Sequence, residues 1–143
     1  ESQLTLTTRT TITDKFGDTY DMRKAVDPAE IGQLYRLFYI EQLPKSISPE
    51  DQHYIVIDSQ NRIVAGICYK IQDGNVAMID GTVVFSPLKG RGIGTAMIKD
   101  FIKRMSQKSI KIIKQHFYLT DFYKKLGFKP DSRWGALIKV IKE

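Results

Sequence analysis

Residues 89–94 read Lys-Gly-Arg-Gly-Ile-Gly, and apolar residues at helical spacing begin at Ile93. A glycine-rich turn that opens a helix presents backbone N–H groups at the positive end of the helix dipole, which is chemistry for holding phosphate. Glycine matters there because a side chain would hold the anion away from the backbone. Lys89 and Arg91 are expected to add mobile positive charge. The Walker A spacing is not met, since no Gly-Lys-Ser/Thr closes the loop. The dinucleotide fingerprint fails as well, because Met97 stands at the third glycine position. Asp80, Glu41 and His116 are the side chains that could accept a proton. Asp80 shares a strand with Val84, and their even separation is expected to put residues 80, 82 and 84 on one face. Cys68, inside an apolar run, reads as a small buried hydrophobe. His53 and His116 lie far apart with no second cysteine nearby, so no metal site is expected.

The elements that must position these groups can be read from period and punctuation. Residues 1–13 are Thr-rich and read as one strand or a loosely held extension, followed by a turn at Asp14–Asp18. A short strand over Thr19–Ala25 leads to a helix to about Gln42. Asp27 caps that helix, Pro28 opens it and Glu30 completes a capping box. Ile31, Leu34, Tyr35 and Phe38 give it an apolar face. Pro44 and Pro49 bracket an irregular stretch or a short second helix. Strands over His53–Asp58, Arg62–Ile71 and Val76–Phe85 form an antiparallel meander, its last hairpin turning at Asp73-Gly74. After the glycine loop, Ile93, Met97, Phe101 and Met105 line a helix whose Lys99, Lys103 and Arg104 are expected to face water. A strand at Ile110–Lys114, a short helix at Thr120–Leu126 stopped by Gly127, and one or two last strands complete the chain. The strand–loop–helix–strand unit after Val76 requires a right-handed crossover and one parallel strand pair.

Bulk properties narrow the class. A chain of 143 residues with 42% hydrophobic and 27% charged content suits one globular domain. No apolar run approaches the ~18 residues of a membrane span, and the start does not resemble a signal peptide. The single cysteine excludes an internal disulfide framework and suits a reducing, cytoplasmic setting. The chain does not begin with Met, which is read as processing, tagging or excision from a longer protein. Net charge is +6, unevenly placed: residues 1–88 carry 8 basic and 12 acidic groups, residues 89–143 carry 14 and 4. The basic half suits a phosphate-rich ligand. No helix-turn-helix, RNA-binding or zinc module accompanies it, so no specific nucleic-acid partner and no membrane partner is expected.

Lys89-Gly90-Arg91-Gly92-Ile93-Gly94 resembles the pyrophosphate loop of GNAT acyltransferases, with Lys89 where Arg or Gln is more usual. Val84-Phe85-Ser86-Pro87-Leu88 resembles the family's entry to that loop, and Phe122-Tyr123-Lys124-Lys125-Leu126-Gly127-Phe128 its late signature. Tyr20–Ile31 resembles the opening strand and first helix. The resemblance covers residues 20 to about 140 and leaves residues 1–18 as an extension or extra strand ahead of a domain at 19–143. It implies an α/β (α+β) fold: a central, mostly antiparallel mixed sheet of six to seven strands, flanked by about four helices, with a V-shaped splay between strands four and five. It also implies acetyl-CoA as acyl donor, no metal, and a primary amine of a small molecule or protein as acceptor. A homodimer is left open.

Acyl transfer to an amine needs a deprotonated amine, a stabilised oxyanion and a protonated leaving thiolate. The resemblance places Val83, Val84 and Phe85 along the pantetheine arm, with the Val84 N–H polarising the thioester carbonyl. Lys89, Gly90, Arg91, Gly92, Ile93, Gly94 and Thr95 then hold the pyrophosphate, and Tyr123 protonates the thiolate. Asp80 is the first choice for a base, with Glu41, His116 or ordered water as rivals. Tyr35, Phe38, Tyr39, Asp80 and His116 would line the acceptor pocket. The alternative is an acetyl-CoA-sensing module of a longer protein, catalytically weak.

Overall fold

The computed structural model describes residues 9–43, 45–116 and 119–142. Residues 1–8 of the expected first strand lie outside that set, as do Pro44, Phe117 and Tyr118. Thr10–Thr13 (β1) is an extra edge strand, paired antiparallel with Thr19–Lys24 (β2). Helix α1 (Pro28–Ile40) follows, its N-terminus capped by Asp27, which accepts the Ala29 amide at 3.0 Å. The expected capping box is incomplete. Glu30 turns instead to Arg23, which donates to both of its carboxylate oxygens and ties α1 to β2.

The meander forms as β3 (Gln52–Ile57), β4 (Ile63–Gln72) and β5 (Val76–Val84). Asp73 and Gly74 both take positive φ, as a tight primed hairpin turn requires. A 3-10 turn (Ser86–Leu88) and the glycine loop lead into α2 (Ile93–Ser106), then β6 (Ile112–Gln115), α3 (Thr120–Lys125), β7 (Lys129–Asp131) and β8 (Ala136–Val140). All eight strands join one sheet in the order β1-β2-β3-β4-β5-β6-β8-β7, and β5–β6 is its parallel pair. The described residues contain three α-helices. The stretch between Leu43 and Gln52, read as irregular or helical, forms no α-helix among its described residues.

Alternation along the strands feeds two cores. On one face Tyr54, Tyr69 and Ile79 pack with Met97, Phe101 and Met105 of α2 and with Tyr123 of α3. On the other, Ile55, Cys68 and Val83 pack with Leu34, Leu37 and Phe38 of α1. Arg104 departs from expectation. It is buried, 8% exposed, and bonds to Asp100, to Thr10 of β1 and to the Met22 carbonyl of β2. An i−4 carboxylate and two partners in the extra hairpin overcome the preference of a guanidinium for water.

Two irregularities in β5 make the site. Its pairing with β6 runs only over Val76–Ile79, so residues 80–84 diverge from β6 and a gap opens. This is the splay expected between the fourth and fifth strands, displaced by one in numbering because β1 precedes them. The second is a bulge: Cys68 faces Gly81 while Tyr69 faces Ile79, leaving Asp80 as the extra residue.

Candidate active site

The gap beside β5 continues into a cleft of about 480 Å³, walled by Thr82, Val83 and Val84 on the strand and by Ile93, Met97 and Ile98 on α2. Its far side includes Phe122 of α3, and its rim carries Lys15, Lys89 and Gly90. Gly90 and Gly92 both adopt φ of +85°, a conformation costly for any residue with a Cβ. Gly92 is also the N-cap of α2, so no side chain caps this end. The first amides of α2 therefore have no intrahelical acceptor and are free for an anion. Gly94 serves closeness rather than dihedral: a Cβ there would lie 3.6 Å from the Phe122 ring and 3.8 Å from Val84.

The cations around the loop are not equivalent. Lys89 lies 3.6 Å from Glu41, and Glu41 accepts the Ser86 amide at 2.8 Å as well as the Ser86 hydroxyl. Burial would raise the Glu41 pKa, but the Ser86 bonds and the Lys89 charge bring it below its ordinary value. Glu41 is thus an ionised tie between α1 and the loop entry. Arg91, expected to be mobile, is pinned: Asp14 accepts from Nε at 2.7 Å and Asp18 from Nη2 at 2.5 Å.

Asp14 has a pKa lowered to about 2 against an ordinary 3.8. Burial pushes it up; the Arg91 guanidinium, the Tyr20 hydroxyl and the amides of Phe16 and Asp18 outweigh that. A depressed carboxylate contributes stability that is complete above its unfolded pKa and is lost as pH falls through the folded one. The melting temperature of the wild type should therefore fall more steeply between about pH 4 and about pH 2 than that of Asp14→Asn. Equal slopes in a thermal-melt series would remove Asp14 as an acid-sensitive anchor.

The other sequence candidates separate. Tyr123 is 1% exposed and lies edge-on to Phe122 and Phe128; the cleft wall at this point is Phe122. Phe85 turns to a second surface depression with Arg36 and Pro87. The bulge cancels the even-spacing argument for Asp80: Thr82 and Val84 stay on the α2 side, while the Asp80 carboxylate meets Lys70 at 2.7 Å on the α1 side. Tyr39 is 74% exposed and His116 is exposed at the end of β6. Phe38 packs under Gly81, where an added Cβ would lie 3.3 Å from its ring.

Tyr35 is the centre of a network that no local pattern announced. Its hydroxyl lies 2.8 Å from His53 Nε2, 3.5 Å from Cys68 Sγ and 3.4 Å from an Asp51 oxygen. Asp51, His53 and Cys68 each offer a ligand atom within 4.8 Å of the others, a grouping hidden in the sequence because it assembles across β3 and β4. Burial drives the Cys68 thiol to about 11, against a smaller pull from the Tyr35 bond, and pushes His53 down. The thiol therefore stays protonated and the imidazole neutral. The Tyr35 hydroxyl thus bridges His53, Cys68 and one Asp51 oxygen; the other Asp51 oxygen is buried without a hydrogen bond among the described residues and lies 3.4 Å from the Lys70 ammonium.

Residues 18–128 match the model of the acetyltransferase (GNAT) family. The chain belongs to that family, and its class of chemistry is acyl transfer. The sequence matches no curated protein significantly. Among solved structures, the ribosomal-protein-S18-alanine N-acetyltransferase of Escherichia coli is similar at TM-score 0.71 and 11% identity, over 87% of this chain and 95% of that one. A GNAT acetyltransferase of Staphylococcus aureus Mu50 gives 0.70 and 14%, over 86% and 99%. Tetrahymena GCN5 gives 0.66 and 18%, over 79% and 87%. At these identities the likeness establishes the fold, with its mixed, mostly antiparallel sheet.

Proposed function

We propose that the protein is an N-acetyltransferase that moves an acetyl or other short acyl group from acetyl-CoA to a primary amine of a small molecule or protein, by direct attack. The observation that carries this reading is the cleft. It joins an apolar slot, suited to a pantetheine arm, to an uncapped helix end with two left-handed glycines, suited to a diphosphate. The residues fit such a donor: Gly90, Gly92, Ile93, Gly94 and Thr95 for the phosphates with Lys89 beside them, and Thr82, Val83 and Val84 along the arm. The donor supplies an activated thioester. The chain orients it, excludes water along an apolar wall, and offers the edge of β5 beyond its β6 pairing, including Val84, for hydrogen bonding to the acyl oxygen. The ion pairing of Asp80 with Lys70 and of Glu41 with Lys89 supports amine deprotonation through water rather than by a dedicated carboxylate. One buried thiol supports a reducing, cytoplasmic setting.

Calorimetric titration with acetyl-CoA, against NADH and ATP as controls, tests the site. Selective binding supports it, and equal or absent binding overturns it. Thiol release with an amine panel then separates an enzyme from a sensor, since binding without turnover would favour the latter. The family's late signature would make Tyr123 the thiolate's proton donor although its ring is buried against Phe122 and Phe128; in that role Tyr123→Phe should lower kcat by roughly 100-fold with little change in acetyl-CoA affinity. A normal rate removes Tyr123 from the mechanism and returns it to the core in which its ring is packed.

A further inference from the structure

The turn between β1 and β2 lies, but for Asp18, ahead of the 18–128 span that matches the family, yet it forms part of the cleft. It is fastened to the glycine loop from several directions. The Lys15 amide donates to the Arg91 carbonyl at 2.7 Å, and the Phe16 ring lies 4.6 Å from the Arg91 guanidinium. Asp14, whose carboxylate has no exposed surface, and Asp18 take the guanidinium between them. A cation with two carboxylates and an aromatic face has little unbalanced charge left for an anion in the cleft.

Lys15 is in the opposite position. Its side chain is exposed, and among the described residues no carboxylate pairs with its ammonium. Its aliphatic stem lies over the loop, with Cγ, Cε and Cδ at 3.1, 3.4 and 3.7 Å from where a Cβ on Gly92 would stand. Stem and head are thus carried along the wall of the cleft where the uncapped amides of α2 begin. A lysine in this setting acts as a mobile point charge, suited to a phosphate of variable position.

We propose that Lys15 is a phosphate ligand of this site, supplying from the β1–β2 turn the charge that Arg91 has committed to Asp14 and Asp18. Arg91 is then a positioning residue: it fixes the turn, and the turn presents Lys15. This rests on the acyl-CoA reading above.

The test is the affinity of wild type, Lys15→Ala, Lys15→Arg and Arg91→Ala for CoA, by calorimetry at low and high salt, with thermal melting of each. Lys15→Ala should weaken CoA binding roughly fivefold to tenfold and flatten its salt dependence. Its melting temperature should be unchanged, because the backbone bond to Arg91 remains. Lys15→Arg should keep most of the affinity. Arg91→Ala should lower the melting temperature, a readout that direct phosphate contact alone would leave still. Wild-type affinity in Lys15→Ala, with CoA bound by the parent protein, would overturn the inference and leave the acyl-CoA reading intact. Absence of CoA binding by the wild type would sink both. An Arg91→Ala variant that melts normally but loses more affinity than Lys15→Ala would restore Arg91 as the ligand.

Discussion

Gly92→Asp is expected to abolish acetyl-CoA binding, by more than about 1,000-fold in affinity, while leaving the fold in place. Three effects act together. Aspartate at φ of +85° carries a left-handed strain of about 1–2 kcal/mol. Its Cβ would meet the Lys15 stem at 3.1 Å and push it aside. Its carboxylate would stand at the mouth of α2, where it would accept the amides intended for phosphate and repel the diphosphate. The first effect falls on stability, and the last removes the anion site. A strain of about 1–2 kcal/mol is small beside the ~5–15 kcal/mol stability of a folded domain, so the variant should stay folded and binding loss can be separated from unfolding. Calorimetry with acetyl-CoA, with circular dichroism as the control for folding, reads both. Retained affinity in a folded variant would mean that the donor's phosphates lie elsewhere.

Arg104→Ala should destabilise the fold by about 3–5 kcal/mol. The side chain holds Asp100 at 2.8 Å, the Met22 carbonyl at 2.9 Å and the Thr10 hydroxyl at 3.0 Å, and its guanidinium lies 4.8 Å from the Tyr54 ring. Truncation leaves Asp100 nearly buried with one remaining hydroxyl donor, Thr10, at 2.9 Å. An uncompensated buried carboxylate is the main cost, and the lost packing on Tyr54 adds to it. Asp100→Leu combined with Arg104→Met should recover much of the loss, because an apolar pair carries no desolvation penalty. Urea unfolding of the single and double variants checks the sign of the coupling. A single-variant cost below about 1 kcal/mol would show the pair to be effectively solvated.

The sequence was most informative where an element is specified by residues close together in the chain. Asp27-Pro28 started α1, Asp73-Gly74 turned the hairpin, and the glycine loop announced the helix that it opens. The parallel β5–β6 pair followed from the crossover between them. Contacts between distant segments were not legible. Arg104 falls on the apolar stripe by period, three residues after Phe101, but its charge argued for water. Only the approach of β1 and β2, whose Thr10 and Met22 lie 94 and 82 residues away, reverses that preference. Lys15 reads as an ordinary turn lysine until the turn is seen against Gly92. Tyr35, Asp51, His53 and Cys68 come from one helix and the region of two strands, so no spacing rule could join them. The face of Asp80 was misread because alternation assumes an unbroken pleat, and β5 carries an extra residue at that point.

That extra residue gives the strand something like a reading frame. Upstream of it the odd positions Ala77 and Ile79 supply the α2 core; downstream the even positions Thr82 and Val84 face α2, and Gly81 and Val83 pass to the α1 side. A substitution in β5 alters one position on one wall. Loss or gain of a single residue near Asp80 would instead reassign every side chain from there to the glycine loop, turning Gly81 and Val83 toward the cleft and Thr82 and Val84 toward the opposite core. Point changes can therefore adjust this cleft gradually, whereas changes of length in β5 can only rewrite it.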